Sequence, residues 1–230
     1  MAVIEAYVTN LGKYNEGELA SGLLKFPATK EAVQEVLKQI GIDNIRYEEI
    51  FIADYDGDLP ELNACLGEYE SIDELNHLAC LLSELDKSDL EKFEAVVASG
   101  EHTSGAGDLI NLVENLDCYD FYIGVSDDET LGRIYAEDME LINIPENLRD
   151  YFDYEAYGRD MRINEDGSFV NGGFLLPNGS QFIEYYHGRE DIPDEHKVFA
   201  YPQLSIREQM AAYKEVIDRF PQAAERPRPE

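Results

Sequence analysis

The sequence predicts an α+β protein made of three small units and a C-terminal extension. Two zones of strand-like runs, at residues 3–54 and 118–186, flank a stretch from 61 to 116 whose apolar spacing is helical. Beyond Gly188 the composition shifts, with Pro193, Pro202 and a proline-rich end. With 230 residues and 44% apolar side chains there is material for real cores. The units are placed at 1–60 (sheet plus helix), 61–116 (helical) and 117–188 (sheet plus helices), with 189–230 as an appendix. No internal repeat is evident.

In the first unit, residues 3–9 alternate as a strand, and the turn cluster Gly12 to Gly17 leads to a second extended run through Leu19, Leu23, Leu24 and Phe26. Pro27 ends that run. From Thr29, the residues Ala32, Val33, Val36, Leu37 and Ile40 fall at helical spacing, with Gly41 as the C-terminal cap. Tyr47, Ile50 and Ile52 mark a third strand within 46–54.

The second unit opens on Ser71-Ile72-Asp73-Glu74, a capping box ahead of the stripe Ile72, Leu75, Leu78, Ala79 and Leu82, so 72–84 is a helix. A helix at 87–98 turns Leu90, Phe93, Val96 and Val97 inward. A loop from Gly100 to Gly107 precedes a short helix at 108–115.

The third unit starts with a strand at 118–125, and Asp127, Asp128 and Glu129 favour a helix start because acids meet the positive end of the helix dipole. That helix runs to about Met139. Pro145 suits the first turn of another, and 153–161 is helical. Strands are expected at 160–164, 168–175 and 181–186, joined by turns at 165–168 and 177–180. Gly172-Gly173 reads as a bulge or bend. In the extension, an amphipathic helix is expected from Ser205 to Phe220.

Charge separates these segments more sharply than structure does. The chain has 49 acids and 18 Lys or Arg, a net charge of −31. Residues 1–46 hold 6 acids and 5 bases, residues 47–160 hold 31 and 5, and residues 161–230 hold 12 and 8. Crowding uncompensated carboxylates into the middle destabilises a compact state by self-repulsion. Adaptation to salt would acidify all surfaces alike, which leaves a solvated acidic face that keeps the protein soluble as the plain alternative to a working surface. The acidic block also carries Tyr47, Phe51, Tyr55, Tyr69, Tyr119 and Phe121 among other rings, so it folds, unlike acidic tails that lack aromatics. Such a surface repels nucleic acids and anionic membranes and suits basic partners.

Catalytic and metal chemistry is not indicated. Cys65, Cys80 and Cys118 form no Cys-x-x-Cys pair and fit a reducing cytoplasm. The start lacks a basic and apolar leader, and no run reaches the length of a membrane span. Asp54, Asp56 and Asp58 open like a calcium loop, but Leu59 replaces the required Gly and Cys65 the required Glu. His77, His102, His187 and His196 are scattered, Gly105-Ala106-Gly107 is too short for a phosphate loop, and no nucleophile elbow is present. With this many acids, any carboxylate pair at a catalytic distance is uninformative. No enzyme and no cofactor are expected.

Double-stranded DNA carries one charge per about 1.7 Å, so the 26 excess charges of the middle block match roughly 45 Å of duplex. Tyr7-Val8-Thr9-Asn10-Leu11-Gly12-Lys13-Tyr14-Asn15-Glu16-Gly17-Glu18-Leu19, then Phe26-Pro27, closely resembles the opening of the ArdA antirestriction proteins. Glu48 to Tyr55, Tyr69 to Asn76 and Tyr151 to Asp160 resemble the same family in the same order. The resemblance covers about residues 3–186.

It implies an elongated, curved chain of three small domains that dimerises through the third, and a protein that inhibits type I restriction-modification enzymes by imitating DNA. The implied partners are the specificity and methyltransferase subunits of such an enzyme and a second copy of the chain, in a bacterial cytoplasm. The family's antirestriction motif corresponds to about Leu131 to Ile144, with Leu131, Ile134, Tyr135, Met139 and Leu141 as interface residues. The expected mimic surface comprises Glu48, Glu49, Asp54, Asp56, Asp58, Glu61, Glu68, Glu70, Asp73 and Glu74. Asp117, Asp120, Asp127, Asp128, Glu129, Glu137, Asp138 and Glu140 continue it. The competing expectation is an acidic adaptor or chaperone for another basic protein.

Overall fold

A computed structural model describes residues 3–57, 59–139 and 141–219. Within them the fold is mixed α/β, with two three-stranded antiparallel sheets ordered β2-β1-β3 and β4-β6-β5. β1 (Ile4–Asn10) buries Ile4, Ala6 and Val8 on one face, as period-two alternation requires. The expected turn cluster contains a short helix, α1 (Leu11–Asn15), because the Asn10 side chain caps it by accepting from the Lys13 N–H at 3.0 Å. β2 (Ser21–Phe26) alternates strictly between exposed and buried. In α2 (Lys30–Gln39) Thr29 accepts from the Ala32 N–H, and Gly41 follows at φ +84°, so both predicted ends are present.

β3 (Ile50–Asp56) begins three residues after Tyr47, later than expected. The Asp43 carboxylate accepts the N–H groups of Ile45, Arg46 and Tyr47, tying this segment into a loop, while the Tyr47 hydroxyl donates to Glu16 at 2.7 Å. Backbone donors spent on Asp43 are not offered to a sheet.

Pro60 starts a helix, α3 (Pro60–Cys65), in place of ending a unit. α4 (Ile72–Glu84), α5 (Lys87–Ser99) and α6 (Ala106–Val113) follow as expected, α5 capped by Asp86 and closed by Gly100 at φ +85°. The capping box does not form: the Ser71 side chain makes no capping bond, and the Glu74 carboxylate instead accepts the Tyr186 hydroxyl at 2.5 Å.

β4 (Tyr119–Ile123) leads to α7 (Asp128–Arg133), which continues as a π-helical stretch, Ile134–Asp138. A 3-10 turn, Glu146–Tyr151, follows Pro145. α8 (Tyr154–Asn164) occupies the expected strand at 160–164, since Tyr154, Gly158 and Met161 keep helical spacing against α7. A Cβ on Gly132 would sit 2.0 Å from the Tyr154 carbonyl oxygen, and one on Gly158 1.9 Å from that of Asp128. The two backbones therefore cross in contact. The expected strand 168–175 is a hairpin, β5 (Ser168–Val170) and β6 (Gly173–Pro177), turning at Asn171-Gly172 with Gly172 at φ +89°.

No strand forms at 181–186. This segment runs beside α6 and the residues just after it, where Asn115 pairs with both the N–H and the carbonyl of Ile183 at 2.9 and 2.8 Å. Asn111, one turn earlier, accepts from the N–H groups of Tyr185 and Tyr186 and donates to the Tyr186 carbonyl. Two amides do what a neighbouring strand would do. Residues 189–219 fold back onto the rest of the chain. Asn76 donates to the His196 carbonyl, Gln34 to that of Tyr201, and α9 (Ile206–Arg219) rests on α2 and the loop after it through Lys38–Glu208 and Arg46–Glu215 ion pairs. Phe220 and the proline-rich end lie outside the described residues.

One apolar core runs from β1 and α2 through α4, α5 and α6 to Tyr186, Ile192 and Val198 of the returning segment. Val125, Leu131, Tyr135, Phe174 and Leu176 form a second cluster. The boundary expected at residue 60 thus divides chain segments that share a core.

Candidate functional site

The acidic residues sit on the elements that connect the two sheets. Glu48 and Glu49 precede β3, Asp54 and Asp56 lie on it, and Glu68 follows α3; all are exposed. Glu61 on α3 and Glu70 before α4 are half-buried, Glu70 accepting from the Gly67 N–H at 3.1 Å. Between residues 117 and 138, Asp117, Asp120, Asp127, Glu129, Glu137 and Asp138 are exposed. Asp58 and Glu140 lie outside the described residues.

Three of the expected strip residues are already neutralised. Asp73 is buried at 1% exposure: Arg189 donates to one oxygen, and the N–H groups of Val198 and Phe199 both donate to the other at 2.7 Å. It is a structural anchor for the returning chain and not a surface charge. Asp128 is clamped by Arg162 at 2.8 and 3.2 Å, and Glu129 pairs with Arg133. Glu74 is half-buried and committed to Tyr186. Asp127 remains exposed while capping α7, and the Thr130 N–H and hydroxyl hold its carboxyl below the usual range.

Of the expected interface residues, Leu131 and Tyr135 fill the second core and are unavailable to a partner. Ile134 is half-buried, whereas Met139 and Leu141 are exposed at 38% and 54%. The difference follows from α7 packing on α8: that contact faces Leu131 inward, and only the end of the π-helical stretch and the loop after it reach solvent.

The structure adds acids that sequence reasoning missed. Glu91 and Glu94 on α5 meet Glu61 of α3 in a cleft of about 220 Å³ that Phe121, Ile123 and the Asn171-Gly172 turn complete. Burial, then Glu61 and Glu91, raises the Glu94 carboxyl above its ordinary value. The signal that could have found Glu91 and Glu94 is the helical period: a helix that buries Phe93 and Val97 puts 91, 94 and 98 on an adjoining side. Asp54 and Glu68 share a second concavity around Asn63. Contacts of β3 with α3, α3 with α5 and α5 with β4 join these sites, so acids continue from the first sheet to the second. Among the described residues, Glu48, Glu49, Asp54, Asp56, Glu61 and Glu68 have no ion-pair partner, nor have Asp117, Asp120, Glu137 and Asp138.

No helix among the described residues is long and apolar enough to cross a membrane. No curated protein matches the chain. A family model described as "Antirestriction protein (ArdA)" matches residues 6–176, which include all but the first two residues of β1 and the last of β6 in the two sheets, and every described acid of the surface above. On that match the chain belongs to the ArdA antirestriction protein family.

Proposed function

We propose that this antirestriction protein works without catalysis, as a DNA mimic that occupies the DNA groove of a type I restriction-modification enzyme at its specificity and methyltransferase subunits. The observation that carries the reading is the run of carboxylates along β3, α3, α5 and β4, most of them with no cation of their own chain within ion-pair distance among the described residues. Arg and Lys side chains that grip phosphates make the same charge-assisted bonds to carboxylates. A groove filled this way is offered neither a base to read nor a bond to cut. A second copy would join through the third unit, where Met139 and Leu141 are exposed, lengthening the acidic surface. The site of action is the cytoplasm, where such enzymes meet incoming DNA.

The test is a plating assay with unmodified phage on restricting cells. Expression of this chain raises plating efficiency toward that on non-restricting cells, and purified protein displaces DNA from the enzyme at low salt. Equal restriction with and without the protein would refute the reading.

A further inference from the structure

α9 is mounted inside out. At about 100° per residue, Glu208, Ala212, Glu215 and Arg219 share one face, and that face meets the first unit: Ala212 is buried, Glu208 pairs with Lys38, Glu215 with Arg46, and Arg219 with Glu16 and the Tyr47 hydroxyl. The opposite face carries Ile206, Met210, Tyr213 and Ile217, which are 80%, 68%, 55% and 68% exposed. A surface helix ordinarily buries its apolar stripe and wets its polar one. Here polar contacts fix the helix with its apolar stripe toward solvent.

The spacing of that stripe, four, three and four residues, is the seam of a heptad repeat, with Met210 and Ile217 at a, Ile206 and Tyr213 at d. Charge selects the occupant. Residues 206–219 contain three acids and three bases within a chain of net charge −31, so the stripe is where a second copy is not repelled. Charge also selects the orientation. Arg207 and Lys214 occupy e positions, which oppose each other in an antiparallel pair and would repel; in a parallel pair e faces g, where Gln209 and Val216 stand.

We infer that α9 is a self-association seam through which two copies of the chain pair in parallel, Ile206, Met210, Tyr213 and Ile217 each facing their counterparts. The seam lies beyond the segment matched to the family and is independent of the DNA-mimic reading. A helix of 14 residues spans about 21 Å, and a pair of that length buries less than the roughly 1,200 Å² at which standard interfaces begin. Association is therefore weak and reversible. Added salt screens the repulsion between acidic bodies and strengthens it, whereas the same salt weakens binding to a DNA groove.

Sedimentation of the full chain against the double variant Met210→Ser, Ile217→Ser tests this, since both positions are exposed and the fold does not depend on them. The wild type rises with concentration to at least twice the mass of the variant, with further growth if the variant itself is already a dimer with two such seams, and does so at lower concentration in high salt. Identical mass curves for the two proteins overturn the inference, including the case in which the stripe serves some other partner. With Cys65 and Cys80 changed to Ser, Met210→Cys crosslinks two copies on oxidation and Lys214→Cys does so far less. Equal crosslinking at both positions overturns the parallel arrangement.

Discussion

At the scale of single residues, two glycines and two histidines do work that charge cannot. Gly132 and Gly158 let α7 and α8 cross with backbone against backbone, and an added Cβ at either meets a carbonyl oxygen at about half the normal contact distance. Neither helix can yield without disturbing Leu131, Tyr135 and Phe174. Gly132→Ala should cost on the order of 1–3 kcal/mol, the range for overpacking, read as a lower midpoint in urea with an unchanged slope. His77 and His196 bring their Nδ1 atoms to 2.8 Å, clasping the returning chain to α4. One ring must donate and the other accept, so both cannot be protonated there. Burial, then His196, lowers the His77 pKa below its ordinary 6.5. Glu84 on the same helix acts in the opposite sense, and the Tyr186 ring packs nearby. A depressed folded pKa means stability that is present above 6.5 and lost as pH falls through the lower folded value. Melting temperature should therefore decline as pH falls from 6.5 toward that lower value, and His77→Gln should flatten the decline; an unchanged pH profile in that variant would contradict the clasp.

Among whole elements, what could be read from the sequence is what its own neighbours determine. α2 was legible because Thr29 and Gly41 punctuate it locally, and α5 because Asp86, Phe93 and Gly100 do the same. The capping box at Ser71 failed for a distant reason, since Tyr186 takes the Glu74 carboxylate that would have closed it. Asp73 looked like one more acid in a helix's first turn until residues 189–199 folded back over it. Segment 181–186 is rich in the aromatic and β-branched residues of strands, and only its partners, Asn111 on α6 and Asn115 just beyond it, reveal that it joins no sheet. In hydrogen exchange, Asn111→Ala with Asn115→Ala should speed the amides of Ile183, Tyr185 and Tyr186 markedly and leave those of β4 and β6 unchanged. Protection that stays the same would mean the asparagines do not hold this segment.

For the molecule as a whole, the acidic surface is cumulative. Exposed ion pairs contribute about 0–1 kcal/mol each, so no single carboxylate among Asp54, Asp56, Glu61, Glu68 or Asp120 should decide inhibition. The sequence made the charge of the middle block plain, because composition needs no fold. It did not show which acids are spent internally: Asp73 on Arg189, Asp128 on Arg162, Glu129 on Arg133. That division makes a sharper test than counting acids. Changing Glu61, Glu91 and Glu94 together to Gln removes three charges from the bridge between the sheets without touching a buried anchor, whereas Asp73→Asn removes one charge and releases the returning chain. The triple variant should keep or gain thermal stability at neutral pH, because burial already penalises the ionised Glu94, yet compete more weakly with DNA for the restriction enzyme and show a shallower salt dependence. Asp73→Asn should do the reverse, melting earlier while its affinity, measured below that melting point, stays near the wild type. If the triple variant competes as well as the parent at every salt concentration, the acids between the two sheets are not part of the surface that meets the enzyme.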